Sequence, residues 1–188
     1  MKPKAIVIGS SAGGLNALKI IFSALDKNFK IPIIVVQHIS PHSDNYITTY
    51  LDKNSRVNVK EAEEKEAIKE GNIYFAPPNF HLLIERDKTF SLSTEERVNY
   101  ARPSIDILFE TAVYAYGKHL AGIILTGANH DGANGMRLIK QYGGLTIVQD
   151  PKNAEVDTMP TCAINATQID HILSLKEITR HLIKLNEL

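Results

Sequence analysis

Short β-branched runs alternate along this chain with stretches of helical period, and that alternation leaves few folds open. Ala5-Ile6-Val7-Ile8, Ile33-Ile34-Val35-Val36, Ile73-Tyr74-Phe75-Ala76, Gly122 to Leu125 and Leu145 to Val148 are of strand length and carry no polar face. Such strands are buried on both sides of a sheet. Between them, Leu15, Leu18, Phe22 and Leu25 share one helical face. Ile105, Leu108, Phe109 and Ala112 recur at helical spacing behind Pro103, which can open a helix where a missing N–H costs nothing. Asp131 to Tyr142 reads as a helix ended by Gly143-Gly144, and Ser174 with Glu177 has capping-box spacing at the head of a last one. The expected architecture is α/β: a doubly wound, mostly parallel sheet with helices on both faces. Arg86-Asp87-Lys88-Thr89 between two short runs adds a β-hairpin near residues 81–93. A polar helix is expected from about Ser43 to Lys53, a short last strand at Ile172-Leu173, and a charged surface excursion over 54–72. With no repeat and no linker, residues 1–188 are expected to form one domain.

Charge and cysteine content narrow the function classes. Lys plus Arg number 21 and Asp plus Glu number 21, so no basic surface is available for a sequence-independent grip on nucleic acid. A single cysteine, Cys162, excludes an internal disulfide and suits a reducing compartment. The apolar run near the N-terminus meets glycines after about five residues, too short for a signal-peptide core. No stretch approaches the roughly 20 apolar residues of a membrane span. The expectation is a cytoplasmic protein with no nucleic-acid partner and no membrane insertion.

Gly9-Ser10-Ser11-Ala12-Gly13 has the form G-x-S-x-G, placed after a strand and before a helix. A nucleophile elbow requires that context. Small neighbours leave the serine accessible, and the helix N-terminus aims N–H groups and a positive dipole end at the site. A dinucleotide fingerprint would need glycine where Ser11 stands, so that match fails. A plain strand-to-helix turn with an N-capping serine accounts for the pentapeptide equally well.

Ligands gather at the carboxyl ends of parallel strands. His38 follows the second strand and Asp131 lies beyond the Gly122–Leu125 strand. If those strands neighbour the first, Ser11, His38 and Asp131 meet as nucleophile, base and orienting carboxylate. Taken singly, His38 has a structural alternative as a hydrogen-bonding residue at a strand end, and Asp131 as a helix cap. His38 and His42 are four apart, but Pro41 separates them and no glutamate follows as in H-E-x-x-H, so no metal site is expected.

Several stretches in order are more specific than the pentapeptide: IGSSAGG at 8–14, VVQHISP at 35–41, IYFAPPNFHLLIE at 73–85, RPSIDILFETA at 102–112, GIILTGANHDGANGM at 122–136, GGLTIVQDP at 143–151 and MPTCAI at 159–164. Through them the chain resembles the catalytic domain of chemotaxis protein methylesterases, the CheB type. The resemblance implies a catalytic triad of Ser11, His38 and Asp131, with the backbone N–H of Ala128 serving the oxyanion; the backbone N–H near Ala12, in the serine turn, is the other candidate donor. It implies hydrolysis of glutamate γ-methyl esters on the cytoplasmic helical region of methyl-accepting chemotaxis receptors, with deamidation of receptor glutamines in many members. A methyltransferase is the implied pathway counterpart, and no cofactor is implied.

The chain departs from the family pattern at Ala128, often methionine, at Ala12, commonly threonine, and at Ser40, where many relatives carry proline. The first strand starts within a few residues of Met1, so the receiver domain that precedes this domain in many relatives is expected to be absent. Two rival readings remain. One is a regulatory ester or amide hydrolase of another signalling protein. The other is a noncatalytic binding module that uses the glycine turn to hold a phosphate or a receptor segment.

Overall fold

The computed structural model describes residues 2–40, 42 and 44–188. Among these, seven strands form one sheet: β1 (Ala5–Ser10), β2 (Ile33–Gln37), β3 (Asn58–Glu61), β4 (Asn72–Phe75), β7 (Leu120–Ile124), β8 (Leu145–Gln149) and β9 (His171–Leu173). Their order is β3-β4-β2-β1-β7-β8-β9, and every pair is parallel. After β1 the chain adds β2, then the edge strand β3, then β4 between them on one side, and crosses to the other side for β7, β8 and β9. β1 is therefore the strand at which the winding reverses. Strands β5 (His81–Ile84) and β6 (Phe90–Ser93) form the separate hairpin.

The helices are α1 (Gly14–Phe22), α2 (Tyr46–Lys53), α3 (Ile105–Tyr116), α4 (Ala133–Gln141), α5 (Thr158–Ala166) and α6 (Leu175–Glu187). Strand alternation divides the core in two. Ile6, Ile8, Ile33 and Val35 pack with Leu18, Ile21 and Phe22 of α1 and Ile178 and Leu182 of α6. Val7, Ile34 and Val36 pack on the other face with Leu108, Phe109 and Ala112 of α3 and with Leu82, Ile84 and Phe90 of the hairpin. Each central strand is thus buried on both faces, as its unbroken apolar run requires.

Three details differ from the sequence expectation, and α5 lies where no element is expected. The 54–72 stretch is not wholly an excursion, because Asn58–Glu61 adds an edge strand beside β4. Its polar sequence suits an edge with only Val59 buried. Helix α5 carries Pro160 in its first turn, where no intrahelical N–H is lost. Pro103 stands before the cap rather than inside α3, whose N-cap is Ser104, with its Oγ accepting from the Ile107 N–H at 3.5 Å. Helix α2 begins at Tyr46, while Ser43, at the expected start, and Pro41 lie outside the described residues. No helix among the described residues is long and apolar enough to cross a membrane.

Candidate active site

Sheet register sets the site. Ser10 lies opposite Gln37 across β1 and β2, so the next residues, Ser11 and His38, leave the sheet side by side. The His38 N–H donates to the Ser10 carbonyl at 3.0 Å, and the Ser11 N–H donates to the Thr126 carbonyl beyond β7 at 3.0 Å. The loops after β2, β1 and β7 are thereby stitched together. Gly13, the N-cap of α1, sits at φ 77°, a left-handed conformation that glycine adopts without strain.

Two adjacent serines part company here. Ser10 is fully buried and donates its Oγ to Gln37 Oε1 at 2.7 Å. Gln37 in turn donates Nε2 to the carbonyls of Ser11 and His38, at 2.9 and 3.0 Å. Ser11 is half-buried and lines a cleft of about 330 Å³ with His38, Asn99, Tyr100, Arg102 and Asn129. On the far side Thr126 accepts from the Val156 N–H at 2.9 Å and donates to the Ala12 carbonyl at 2.8 Å. Among the described residues, the N–H groups of Ala12 and Ala128 have no protein acceptor.

Gly127 closes the approach between these loops. A Cβ there would stand 2.0 Å from Met159 Sδ and 2.9 Å from Ser11 Cβ. Gly127→Ala is expected to push the Ser11 turn outward. A misplacement on the order of 1 Å costs about a hundredfold in rate, and overpacking costs about 1–3 kcal/mol. Parallel kcat/KM and Tm measurements check it, and an unchanged kcat/KM would contradict it.

Asp131 is buried and accepts five hydrogen bonds. Oδ2 takes His38 Nε2 at 2.9 Å and the Ile105 N–H at 2.7 Å. Oδ1 takes Ser104 Oγ at 3.0 Å, the Asp106 N–H at 3.1 Å and Asn99 Nδ2 at 3.1 Å. The carboxylate thus caps the N-terminus of α3, a helix that begins 26 residues earlier. Its own helix, α4, starts at Ala133 and is capped by Gly132. Capping and ring-holding are therefore done by one group. Burial pushes its pKa up, but the bonds from His38, the Ile105 N–H, Asn99 and the Asp106 N–H outweigh this and leave it below the ordinary value. Asp106 goes the other way. Burial raises it, the Gly135 N–H lowers it, and the Asp131 charge raises it further.

The imidazole nitrogens are distinguishable. Asn129 Oδ1 accepts the Asp131 N–H at 3.1 Å, which turns the Asn129 NH₂ toward His38 Nδ1 at 3.0 Å. Nδ1 then accepts, so Nε2 carries the proton given to Asp131. Ser11 Oγ has no hydrogen-bond partner among the described residues. The structure therefore brings Ser11 and His38 to one cleft, joins His38 to the buried Asp131, and leaves Ser11 Oγ without a hydrogen bond among the described residues.

Sequence reasoning missed Gln37, Asn99, Ser104 and Asn129. Gln37 had a signal, a polar residue closing an otherwise apolar strand. A lone amide such as Asn99 or Asn129 had none. No group of three or more His, Cys, Asp or Glu side chains placed to hold a metal ion occurs among the described residues.

The family model described as CheB methylesterase matches residues 6–182. A putative protein-glutamate methylesterase/protein-glutamine glutaminase of Leptospira interrogans is 56% identical over 187 residues, spanning 100% of this chain and 97% of that protein. The protein-glutamate methylesterase/protein-glutamine glutaminase of Archaeoglobus fulgidus is 37% identical, and the match covers 99% of this chain but 54% of that longer protein. The crystal structure of the Thermotoga maritima CheB methylesterase catalytic domain superimposes with a TM-score of 0.93 at 37% identity, covering 98% of this chain and 100% of that one.

Proposed function

The chain belongs to the CheB methylesterase family, and from that premise we propose that it hydrolyses glutamate γ-methyl esters of methyl-accepting chemotaxis receptors through Ser11, His38 and Asp131. The observation that carries the assignment is the Asp131–His38 hydrogen bond of 2.9 Å at the cleft that Ser11 lines. In this reading Ser11 Oγ attacks the ester carbonyl and its proton passes to His38 Nδ1. The tetrahedral intermediate collapses, the C–O bond to methoxide breaks, and Nδ1 returns the proton so that methanol leaves. Water then attacks the acyl-enzyme, losing its proton to Nδ1, and the proton returns to Ser11 Oγ as glutamate departs. Because Nε2 is committed to Asp131, Nδ1 is the base. These nitrogen roles are the reverse of those in the chymotrypsin-type triad.

The unengaged N–H groups of Ala12 and Ala128 are the proposed oxyanion donors, worth about 10²–10³ in kcat apiece at such sites. Both are backbone groups, so alanine at either position leaves the donor in place. The same acyl chemistry on a glutamine side chain releases ammonia, so receptor glutamine deamidation is proposed as a second activity. The substrate is the cytoplasmic helical region of the receptor, which places the enzyme in the cytoplasm opposite a methyltransferase. The test is methanol release from methylated receptor. Release is expected with purified protein alone and is expected to be unchanged after exhaustive chelation. Loss on chelation with recovery on adding zinc would contradict the serine mechanism.

A further inference from the structure

Nδ1 of His38 is the ring nitrogen not committed to Asp131, and a side chain already caps it. Asn129 is pinned at its oxygen end by the Asp131 N–H at 3.1 Å and presents its NH₂ to Nδ1 at 3.0 Å. Asn129 also lines the cleft beside Ser11, so a bound ester offers its acceptor oxygens to that NH₂. The same loop therefore holds both nitrogens of the ring, Nε2 through Asp131 and Nδ1 through a residue two positions earlier.

We infer that Asn129 is a positioning residue that caps the base in the resting protein and is displaced by substrate before Ser11 can transfer its proton. The inference rests on His38 being the base. The cap does two things. It fixes the tautomer with the proton on Nε2, because an amide N–H can meet only an unprotonated Nδ1. It also keeps Ser11 from being activated while the cleft holds no acyl group.

The sign of the effect separates this role from a merely structural one. Asn129→Gly removes the cap and leaves Nδ1 open. Asn129→Asp keeps the shape but replaces the donor by an acceptor, which favours a proton on Nδ1. The experiment is covalent labelling of Ser11 by a serine-directed phosphonate at neutral pH, with ¹⁵N resonances of the His38 ring recorded on the same proteins. The Gly variant is expected to label about fivefold faster, the worth of displacing one neutral hydrogen bond. Its Nδ1 resonance should move toward that of an unbonded imine nitrogen. The Asp variant is expected to label at least about tenfold more slowly and to show both nitrogens protonated. A Gly variant that labels no faster than wild type, or an unmoved Nδ1 resonance, overturns the cap. Labelling absent from all three proteins while the Nδ1 resonance still moves overturns the hydrolase reading, and the cap's role in proton transfer with it.

Discussion

Ser11→Ala is expected to abolish phosphonate labelling and to lower methanol release by roughly 10⁴–10⁶, as loss of a nucleophile does elsewhere. Among the described residues lining the cleft, no other serine, threonine or cysteine stands in for it. The neighbouring hydroxyl of Ser10 is fully buried and spent on Gln37 at 2.7 Å. The Ser11→Ala protein should stay folded, because its Oγ holds no other group, and its Tm should match wild type within a degree or two. Ser10→Ala should have the opposite profile. It keeps the nucleophile and the labelling, but leaves Gln37 Oε1 without its partner, at a cost of about 1–3 kcal/mol. Quantified labelling, turnover and Tm on the two variants check the pair. Labelling that follows Ser10, or full turnover by Ser11→Ala, would refute the assignment.

Asp131→Asn is expected to lose both catalysis and stability. An amide cannot present acceptors to donors on both sides, since three donors converge on Oδ1 and two on Oδ2. If the NH₂ faces Oδ2's partners it opposes the Ile105 N–H, and His38 must adopt the other tautomer. That costs about 10⁴ in kcat in a comparable triad. Loss of a charged cap and buried acceptors should cost on the order of 3 kcal/mol, reduced somewhat because Asp106 is freed from a neighbouring charge. The pH dependence has a definite sign. The folded-state pKa of Asp131 lies below its ordinary value, so its stabilisation is complete above that value, about 3.9, and disappears as pH falls through the lower folded value. The urea midpoints of wild type and Asp131→Asn should therefore differ most above about pH 5 and converge in stronger acid. A gap that stays constant into strong acid would contradict the capping role.

Much of the architecture is legible in the sequence because each central strand is written as an unbroken apolar run, and such runs belong to parallel sheets. The same runs indicate where the chain leaves the sheet, and so bring Ser11, His38 and the 126–131 loop into consideration together. β3 is not legible because an edge strand needs only one buried residue, Val59, and reads as loop. α5 is obscured by Pro160, which is harmless in a first turn but looks like a breaker. The amides around the ring are hidden for another reason. Asn99 and Asn129 meet the ring and its carboxylate only across segments, through Asn99 to Asp131 and Asn129 to His38, and nothing local marks them, whereas Gln37 is marked only as the polar end of an apolar strand. The capping role of Asp131 suggests itself from the sequence, but for the wrong helix, because caps are ordinarily sought on the helix that follows.

The position of β1 between β2 and β7 also sets an order of events during synthesis. A chain made only as far as residue 119 holds Ser11 and His38 but lacks both β7, which flanks β1, and Asp131, which holds the ring. The N-terminus of α3 would then stand without its carboxylate. Synthesis therefore delivers the proposed base 93 residues before the carboxylate that orients it, and the proposed triad stays incomplete until the loop after β7 has emerged.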